Sequence, residues 1–195
     1  MVFSRYSIRM TGNYEIDLLS RFARILAAQG YDRGLQPVQW QALRFLAAAN
    51  RFSRTAKGLT AWLGQTKGSV SQTLIALEGK KLIARETDNA DARVVRLNLT
   101  QAGRALLADG QTSLPRRMLS HLTSGDQALF VGFVEAMLRT ELSKSGGRPF
   151  GLCGDCRHFR SGTAGQHYCA LLRVQLNELD SQKICIEQES SHVEA

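Results

Sequence analysis

Cysteine is absent from the first 152 residues of this 195-residue chain, and all four cysteines lie beyond them. No apolar run approaches the roughly 18 residues of a membrane-spanning helix, and the N-terminal residues lack the continuous apolar core of a signal peptide. These absences argue against a disulfide-stabilised secreted domain and against a membrane protein. The composition predicts a cytoplasmic protein with reduced thiols and no membrane partner.

The chain also lacks the usual signs of an enzyme. It has no glycine-rich phosphate-binding loop, no pair of carboxylates placed for acid–base chemistry, and no nucleophile with a recognisable partner. We therefore expect no catalytic residues and no enzymatic activity.

Acidic residues are scarce relative to basic ones. The chain has 25 Lys+Arg against 17 Asp+Glu, a formal net charge of +8. Residues 37–100 contain ten Lys+Arg and four Asp+Glu, a net charge of +6, whereas residues 148–195 have a net charge of −1. Concentrated positive charge attracts the phosphate backbone of nucleic acid. RNA or an anionic lipid surface would be attracted too, so charge alone does not identify the partner.

Residues 59–99 contain the most informative pattern, which reads as a short helix, a tight turn, a second amphipathic helix and two short strands. In the second helix, Thr66 is suited to the N-cap, and Val70, Leu74 and Leu77 recur at helical spacing as one apolar stripe. The opposite face is small and polar, as in a helix that enters the major groove of DNA. The residues predicted to contact DNA from this helix are Thr66, Lys67, Gly68, Ser69, Ser71, Gln72 and Thr73. Taken alone, the helix is equally compatible with a solvated position in a small bundle.

Two strands are predicted over Leu82–Thr87 and Arg93–Leu99, around the turn-forming residues 88–92. Arg93 lies at the tip, where a guanidinium suits the negative potential of a minor groove. Asp91 is placed to hold Arg93 by a charge-assisted hydrogen bond. A helix-turn-helix followed by such a hairpin is the order of a winged helix-turn-helix.

This run resembles the DNA-binding lobe of the MarR family of transcriptional regulators. Residues 59–85, LTAWLGQTKGSVSQTLIALEGKKLIAR, resemble the helix-turn-helix and following strand of that family. Asp91-Ala92-Arg93 matches the D-x-R signature of the wing, and residues 99–103, LTQAG, match the L-T-x-x-G that opens the next helix. Ala92 stands where many members have a first arginine, which puts one contact at the wing tip in doubt. The resemblance covers residues 13–144.

The resemblance implies a homodimer, in which residues 13–30 and 101–144 form helices that intertwine about a two-fold axis. Such a dimer binds a two-fold operator in double-stranded DNA, because paired recognition helices need a fixed separation. The alternative is that these helices only close a monomeric core. Periodicity predicts helices over Tyr14–Ala28 and from Pro37, and a long helix from Gln101 with a kink or break at Pro115 and a restart near Thr123.

Residues 148–195 are predicted to be a metal-binding extension of a domain over residues 1–147, whose DNA-binding lobe spans residues 37–100. Its four cysteines, spaced C-x2-C-x12-C-x15-C, are Cys153, Cys156, Cys169 and Cys185. Structural zinc sites often have two close cysteine pairs, whereas this tail has one, so the spacing favours an iron–sulfur cluster, with Zn²⁺ as the alternative. His158 and His167 are alternative ligands. Packed thiols or a thiol–disulfide switch would explain the cysteines without metal.

These features together predict a mainly α protein with a small β-hairpin wing, a MarR-like winged helix-turn-helix dimer with a C-terminal cysteine module. The predicted function is a homodimeric repressor whose cluster senses redox state, oxygen or iron by changing its packing against the dimer helices. One alternative is a regulator that responds to a small-molecule effector and has a structural zinc tail. The other is a redox enzyme tethered to DNA.

Overall fold

The computed structural model describes residues 13–27, 33–89, 91–109, 114–147 and 150–190. The chain divides into two compact units, Met1–Pro37 and Val38–Ala195. In the described part of the chain, no helix combines the length and the apolar character needed to span a bilayer.

The first unit contains helix α1, Tyr14–Ala27. Glu15 and Asp17 lie in its first turn, where a negative charge favours the helix dipole. None of the residues of α1 is buried, and the apolar side chains of Ile16 and Leu19 are exposed. The helix begins where the sequence predicts, and the predicted last residue, Ala28, lies outside the described residues.

The second unit begins with a winged helix-turn-helix, as the sequence predicts. Its elements are α2 (Pro37–Ala48), α3 (Ala56–Leu63), α4 (Lys67–Gly79), β1 (Ile83–Thr87) and β2 (Val95–Leu99). The two strands pair antiparallel, with a register from Ile83 opposite Leu99 to Thr87 opposite Val95.

Both strands are shorter than predicted, because turns occupy their expected ends. The backbone N–H of Leu82 donates to the carbonyl of Leu77 in α4, so Leu82 closes the helix and does not open the strand. The N–H of Val94 donates to the carbonyl of Asp91, so the wing turn ends one residue before β2.

The core of this unit is built around α2. Leu43 and Leu46 of α2 are each at most 1% exposed, and the ring centroids of Phe45 in α2 and Trp62 in α3 are 5.3 Å apart. The other fully buried apolar side chains of this core are Phe45, Leu59, Val70, Leu74, Leu77 and Leu97. Because the apolar stripe of α4 faces this core, the opposite side of α4 is left to solvent.

The turn between α3 and α4 depends on a glycine. Gly64 has φ of 61°, in the left-handed region where glycine carries no steric penalty, and its N–H donates to the carbonyl of Thr60. This glycine ends α3 and lets α4 begin after only three residues.

Three further helices follow the wing: α5 (Gln101–Asp109), α6 (Leu114–Ser120) and α7 (Ser124–Lys144). Of the predicted kink or break near Pro115, the structure has a break, since α5 and α6 are separate helices. Pro115 is the second residue of α6, in a first turn where its missing N–H costs nothing. Residues 110–113 lie outside the described residues. The predicted restart is confirmed, since the Thr123 side chain caps α7 by accepting the N–H of Asp126.

The cysteine-containing segment folds into short elements. They are β3 (Gly151–Leu152), a 3-10 turn (Cys153–Asp155), β4 (Phe159–Arg160), β5 (Gln166–Cys169), β6 (Val174–Asn177), α8 (Glu178–Ser181) and β7 (Ile184–Cys185). Strands β4, β5 and β6 form one antiparallel sheet, and β3 pairs with β7. This segment belongs to the same compact unit as the winged helix. The predicted boundary after residue 147 falls inside this unit, and the division into two domains stays a prediction.

The segment that links α2 to α3, residues 50–54, is called the Asn50–Arg54 turn below. The Oδ1 atom of Asn50 accepts the N–H groups of Phe52 at 3.1 Å and Ser53 at 2.8 Å, which closes the turn. Gly58 of α3 packs directly on it. A Cβ atom on Gly58 would lie 2.1 Å from the Ser53 carbonyl oxygen and 3.3 Å from Ile186 Cδ1.

We expect Gly58→Ala to lower the free energy of unfolding by about 1–3 kcal/mol, because the added methyl group meets a backbone oxygen that cannot move aside cheaply. Urea denaturation measures the change. Gly79→Ala is the matched control, since a Cβ atom at Gly79 meets nothing within 4 Å. Equal stabilities of the two variants would contradict the close packing described here.

Candidate DNA-binding surface and cysteine site

The outward face of α4 is small, polar and exposed. Thr66 caps the helix, because its Oγ1 accepts the N–H of Ser69 at 3.2 Å, and the same oxygen lies 2.9 Å from Ser69 Oγ. The sequence-predicted residues that the structure leaves exposed on or beside this face are Thr66, Lys67, Gly68, Ser69, Ser71 and Gln72. Hydroxyl and amide groups on such a surface are suited to bond phosphates and base edges.

Thr73 does not belong to this face. It is 7% exposed, and its Oγ1 donates to the carbonyl of Ser69 at 3.1 Å. The hydrogen bond of the Thr73 hydroxyl is therefore made within α4, and the residue packs inward. The sequence-based prediction that Thr73 contacts DNA is corrected on this ground.

The wing tip holds a two-pronged ion pair. Arg93 Nε and Nη2 each lie 2.9 Å from a different oxygen of Asp91, and the N–H of Arg93 donates to Asp91 Oδ1 at 3.0 Å. The bonds from the Arg93 side chain and then from its backbone N–H lower the pKa of Asp91. The same side-chain bond raises the pKa of Arg93. The predicted contact is confirmed. It holds the guanidinium of Arg93, whose side chain is 90% exposed.

The base of the wing is fixed by a second arginine, which sequence reasoning did not single out. Arg96 Nε donates to Asp88 Oδ2 at 2.8 Å, and Arg96 Nη1 donates to the carbonyl of Phe52 at 2.8 Å. The N–H of Leu97 donates to the carbonyl of Arg54, also at 2.8 Å. The wing is thereby tied to the Asn50–Arg54 turn.

The four cysteines meet at one small cavity. Cys153, Cys156, Cys169 and Cys185 all line it, with apolar neighbours that include Phe159, Leu172 and Leu176. Cys153 and Cys185 are buried, and all four thiols are free of disulfide bonds. The fold therefore brings together residues that the sequence spreads over 33 positions.

Hydrogen bonds favour the anionic form of one thiol in this cluster. A bond from Cys153, followed by bonds from the Glu187 N–H and from the side chains of Asn50 and Ser53, lowers the pKa of Cys185 to about 6. The bond to Cys185, together with burial, raises the pKa of Cys153. The two opposite shifts favour the thiolate at Cys185 and the protonated thiol at Cys153.

Backbone N–H groups point at two of the other sulfurs. The N–H of Leu172 lies 3.5 Å from Cys169 Sγ, and the N–H of Glu189 lies 3.5 Å from Cys156 Sγ. Amide donors around cysteine sulfurs are the surroundings that stabilise thiolates and tune iron–sulfur clusters. In donor chemistry the cavity therefore fits a thiolate-ligated metal centre.

The described His, Cys, Asp and Glu side chains include no group of three or more arranged to hold a metal ion. The histidines near the cysteines have other contacts. His167 uses both ring nitrogens, since Nδ1 accepts the N–H of Gly162 at 3.3 Å and Nε2 lies 2.9 Å from Glu178. His158 Nε2 lies 3.1 Å from a Glu189 oxygen.

The cysteine segment is hydrogen-bonded to the winged helix. Arg51 Nη1 of the Asn50–Arg54 turn lies 3.3 Å from Asp180 Oδ2 of α8, and Lys57 Nζ of α3 lies 3.4 Å from Glu187 Oε1. The ring centroids of Trp62 in α3 and Phe150 are 4.4 Å apart. We expected the module to act through the dimer helices, whereas the polar contacts named here between its described residues and other elements are with the DNA-binding lobe.

Comparison with known proteins agrees with this fold. Residues 33–94 match the model of the MarR family. The chain is similar to S. aureus MepR in its DNA-binding conformation, with 24% identity and a TM-score of 0.55 over 67% of this chain and 98% of that chain. It is similar to S. aureus MepR in a complex with DNA, with 25% identity and a TM-score of 0.50 over 67% of this chain and 97% of that chain.

A MarR/EmrR family regulator from Acinetobacter sp. ADP1 is similar at 21% identity, with a TM-score of 0.52 over 68% of this chain and 94% of that chain. No curated protein sequence matches significantly. The predicted fold class, a MarR-like winged helix-turn-helix, is confirmed by the family model and the structural neighbours. About a third of this chain lies outside these structural matches.

We expect Arg93→Ala to return the pKa of Asp91 upward toward its ordinary value, because the substitution removes the side-chain bonds that lower it. The wing ion pair is formed above the lowered pKa and is lost as pH falls through it. Carboxyl chemical shifts in an NMR titration report this pKa. Arg85→Ala is the control, since Arg85 pairs with Glu78. An Asp91 pKa that is the same in all three proteins would contradict the assigned contact.

Proposed function

We propose that this chain, whose residues 33–94 match the MarR family, is a cytoplasmic DNA-binding transcriptional regulator of that family. The observation that carries the proposal is the exposed polar face of α4, together with the exposed guanidinium that Arg93 presents at the wing tip. The net charge of +6 over residues 37–100 supplies attraction to the phosphate backbone. MepR, which is similar in fold, has been solved in a complex with DNA, which supports the proposal.

Each exposed group has a separate role in this proposal. The Gln72 amide reads a base edge in the major groove, since an amide can donate and accept at once. The hydroxyls of Thr66 and Ser69 at the N-terminus of α4 bond phosphates and fix its register. Arg93 enters the adjacent minor groove, and Asp91 holds it in position.

We propose that the protein acts as a homodimer on a two-fold operator. Leu129, Phe133 and Met137 of α7 recur every four residues and are 63%, 65% and 52% exposed. Three large apolar side chains on one helical face favour burial against a partner. Two recognition helices in one dimer would read two half-sites about one turn of DNA apart. Binding of the dimer to the operator would repress transcription.

We further propose that the four cysteines hold an iron–sulfur cluster, which makes the regulator responsive to redox state, oxygen or iron. The proposal is supported by a cavity that all four cysteines line and by the N–H groups directed at two of the sulfurs. When bound, a cluster supplies a redox state that the side chains themselves lack. Cys185 is held ready as a thiolate, and the apolar residues around the cavity limit access of water.

A second candidate is regulation by a small-molecule effector, with zinc in place of the cluster. A cavity of about 260 Å³ favours it, lined by apolar side chains that include Trp62, Leu138 and Phe150 and by the charged side chains of Glu135 and Arg139. A mainly apolar lining with a few polar groups suits a small, largely apolar ligand. Release of DNA by such a ligand, undiminished after metal removal, would support this candidate over the cluster.

The proposed roles in DNA binding predict different effects for two substitutions. Arg93→Ala should weaken binding to all sequences and reduce the slope of log affinity against log salt by about one. Gln72→Ala should cost about 1–3 kcal/mol on the preferred operator and little on random DNA. Fluorescence anisotropy on an operator selected from random duplexes, at several salt concentrations, measures both effects.

The matched control for Arg93→Ala is Arg160→Ala, because Arg160 is an exposed arginine of β4 and its removal changes the net charge equally. If the two substitutions weaken DNA binding alike, the role of Arg93 in the wing is wrong. If Gln72→Ala weakens binding to operator and random DNA equally, Gln72 does not read a base.

Protein purified without oxygen should contain iron and sulfide in matching amounts and should absorb visible light. Cys169→Ser should lose both, because it removes one of four ligands, whereas His158→Ala should keep them. Iron, sulfide and zinc are measured on the same sample. A colourless protein with about one zinc per chain would refute the cluster and leave the effector-binding candidate.

A further inference from the structure

The residues on both sides of Cys185 are bonded to the Asn50–Arg54 turn. The N–H of Asn50 donates to the carbonyl of Ile184 at 2.9 Å, and the N–H of Ile186 donates to Ser53 Oγ at 3.1 Å. Asn50 and Ser53 are each 1% exposed. These bonds join positions more than 130 residues apart and are shielded from water.

The same two side chains also influence the thiol, because Asn50 and Ser53 are among the groups that lower the pKa of Cys185. The ring of Phe52 packs against the buried cluster that contains Cys153 and Cys185. The residues that line the cysteine cavity lie in the cysteine segment, and the DNA-binding lobe contacts that segment at Cys185 and its neighbours.

On its other side, the turn supports the wing. The carbonyl of Phe52 accepts a bond from Arg96, and the carbonyl of Arg54 accepts the N–H of Leu97. Arg96 also donates to Asp88 Oδ2, and Asp88 Oδ1 accepts the N–H of Asp91 at 3.2 Å. Hydrogen bonds, joined through the backbone of the turn, thus lead from the neighbours of Cys185 to Asp91, which holds Arg93.

We infer that Asn50 and Ser53 are positioning residues of the metal centre, and that the Asn50–Arg54 turn transmits its state to the wing. The inference rests on the proposed function and names the route of its regulation. Loss of the centre releases the Cys185 sulfur and lets the segment around it shift. Asn50 and Ser53 must follow, because they are bonded to Ile184 and Ile186 on either side of Cys185 and an unpaired buried polar group is costly. Phe52 and Arg96 then move with the turn, and the wing changes its presentation of Arg93.

The test compares full-length wild type, Ser53→Ala and Ser181→Ala. Ser181 is the matched control, since it is also a buried serine, but its hydroxyl donates to Glu178 within the module. Each protein is loaded with iron and sulfide without oxygen and is measured again after removal of the metal. The readouts are metal content and affinity for the selected operator in both states.

We expect the operator affinity of the wild type to differ between the two states by about 5- to 150-fold, the usual range of such coupling. Ser53→Ala should retain the metal and bind DNA. The ratio of its operator affinities with and without metal should be about fivefold smaller than in the wild type, as expected for one lost hydrogen bond. Ser181→Ala should keep the wild-type ratio. A full ratio in Ser53→Ala would overturn the inference.

Hydrogen exchange gives an independent readout of the route. Metal removal should speed exchange of the Leu97 amide in the wild type, because its acceptor is the carbonyl of Arg54. Unchanged exchange there, together with changed operator affinity, would overturn the inference alone. If Ser53→Ala does not fold, Arg96→Lys tests the same path from the wing and should reduce the ratio likewise. A wild type that binds no metal, or binds DNA equally in both states, would overturn the proposed sensing function as well.

Discussion

The buried amide of Asn50 holds the segment on which the wing and the cysteine cavity both rest. It closes the turn through two backbone N–H groups, and its own N–H pairs with the strand that carries Cys185. Loss of such a side chain would leave buried polar groups unpaired, each at a cost of about 1–3 kcal/mol. One set of short hydrogen bonds therefore fixes the wing and the cysteines relative to each other.

The two candidate sites differ in their exposure to water. Arg93 and the outer face of α4 are solvent-exposed, so their electrostatic interactions are screened by salt and suit a partner that is bound and released. The cysteines line a cavity closed by aromatic and aliphatic side chains, where charge–dipole interactions are stronger. A change in the charge of a buried thiolate can therefore affect structure, whereas a change at an exposed arginine mainly affects binding.

Much of the winged helix was predictable, because its signals are local. The spacing of Val70, Leu74 and Leu77 fixed the buried side of α4, and the two-residue separation of Asp91 and Arg93 allowed their ion pair. Thr73 was misplaced for an equally local reason. A threonine on the edge of a helical face can turn its hydroxyl to the carbonyl four residues earlier, and only the neighbouring helices decide whether it is buried.

The sequence by itself determined the winged helix-turn-helix and the gathering of four cysteines in its last 43 residues. Helical period, capping residues and turn-forming residues act over a few positions and leave a readable pattern. Only the tertiary structure decided that the cysteines share one cavity and that Asn50, Phe52 and Ser53 pack against the segment that carries Cys185. The physical reason is that Ser53 and Ile186 meet across 133 positions, and packing at that separation has no periodic signature in the chain.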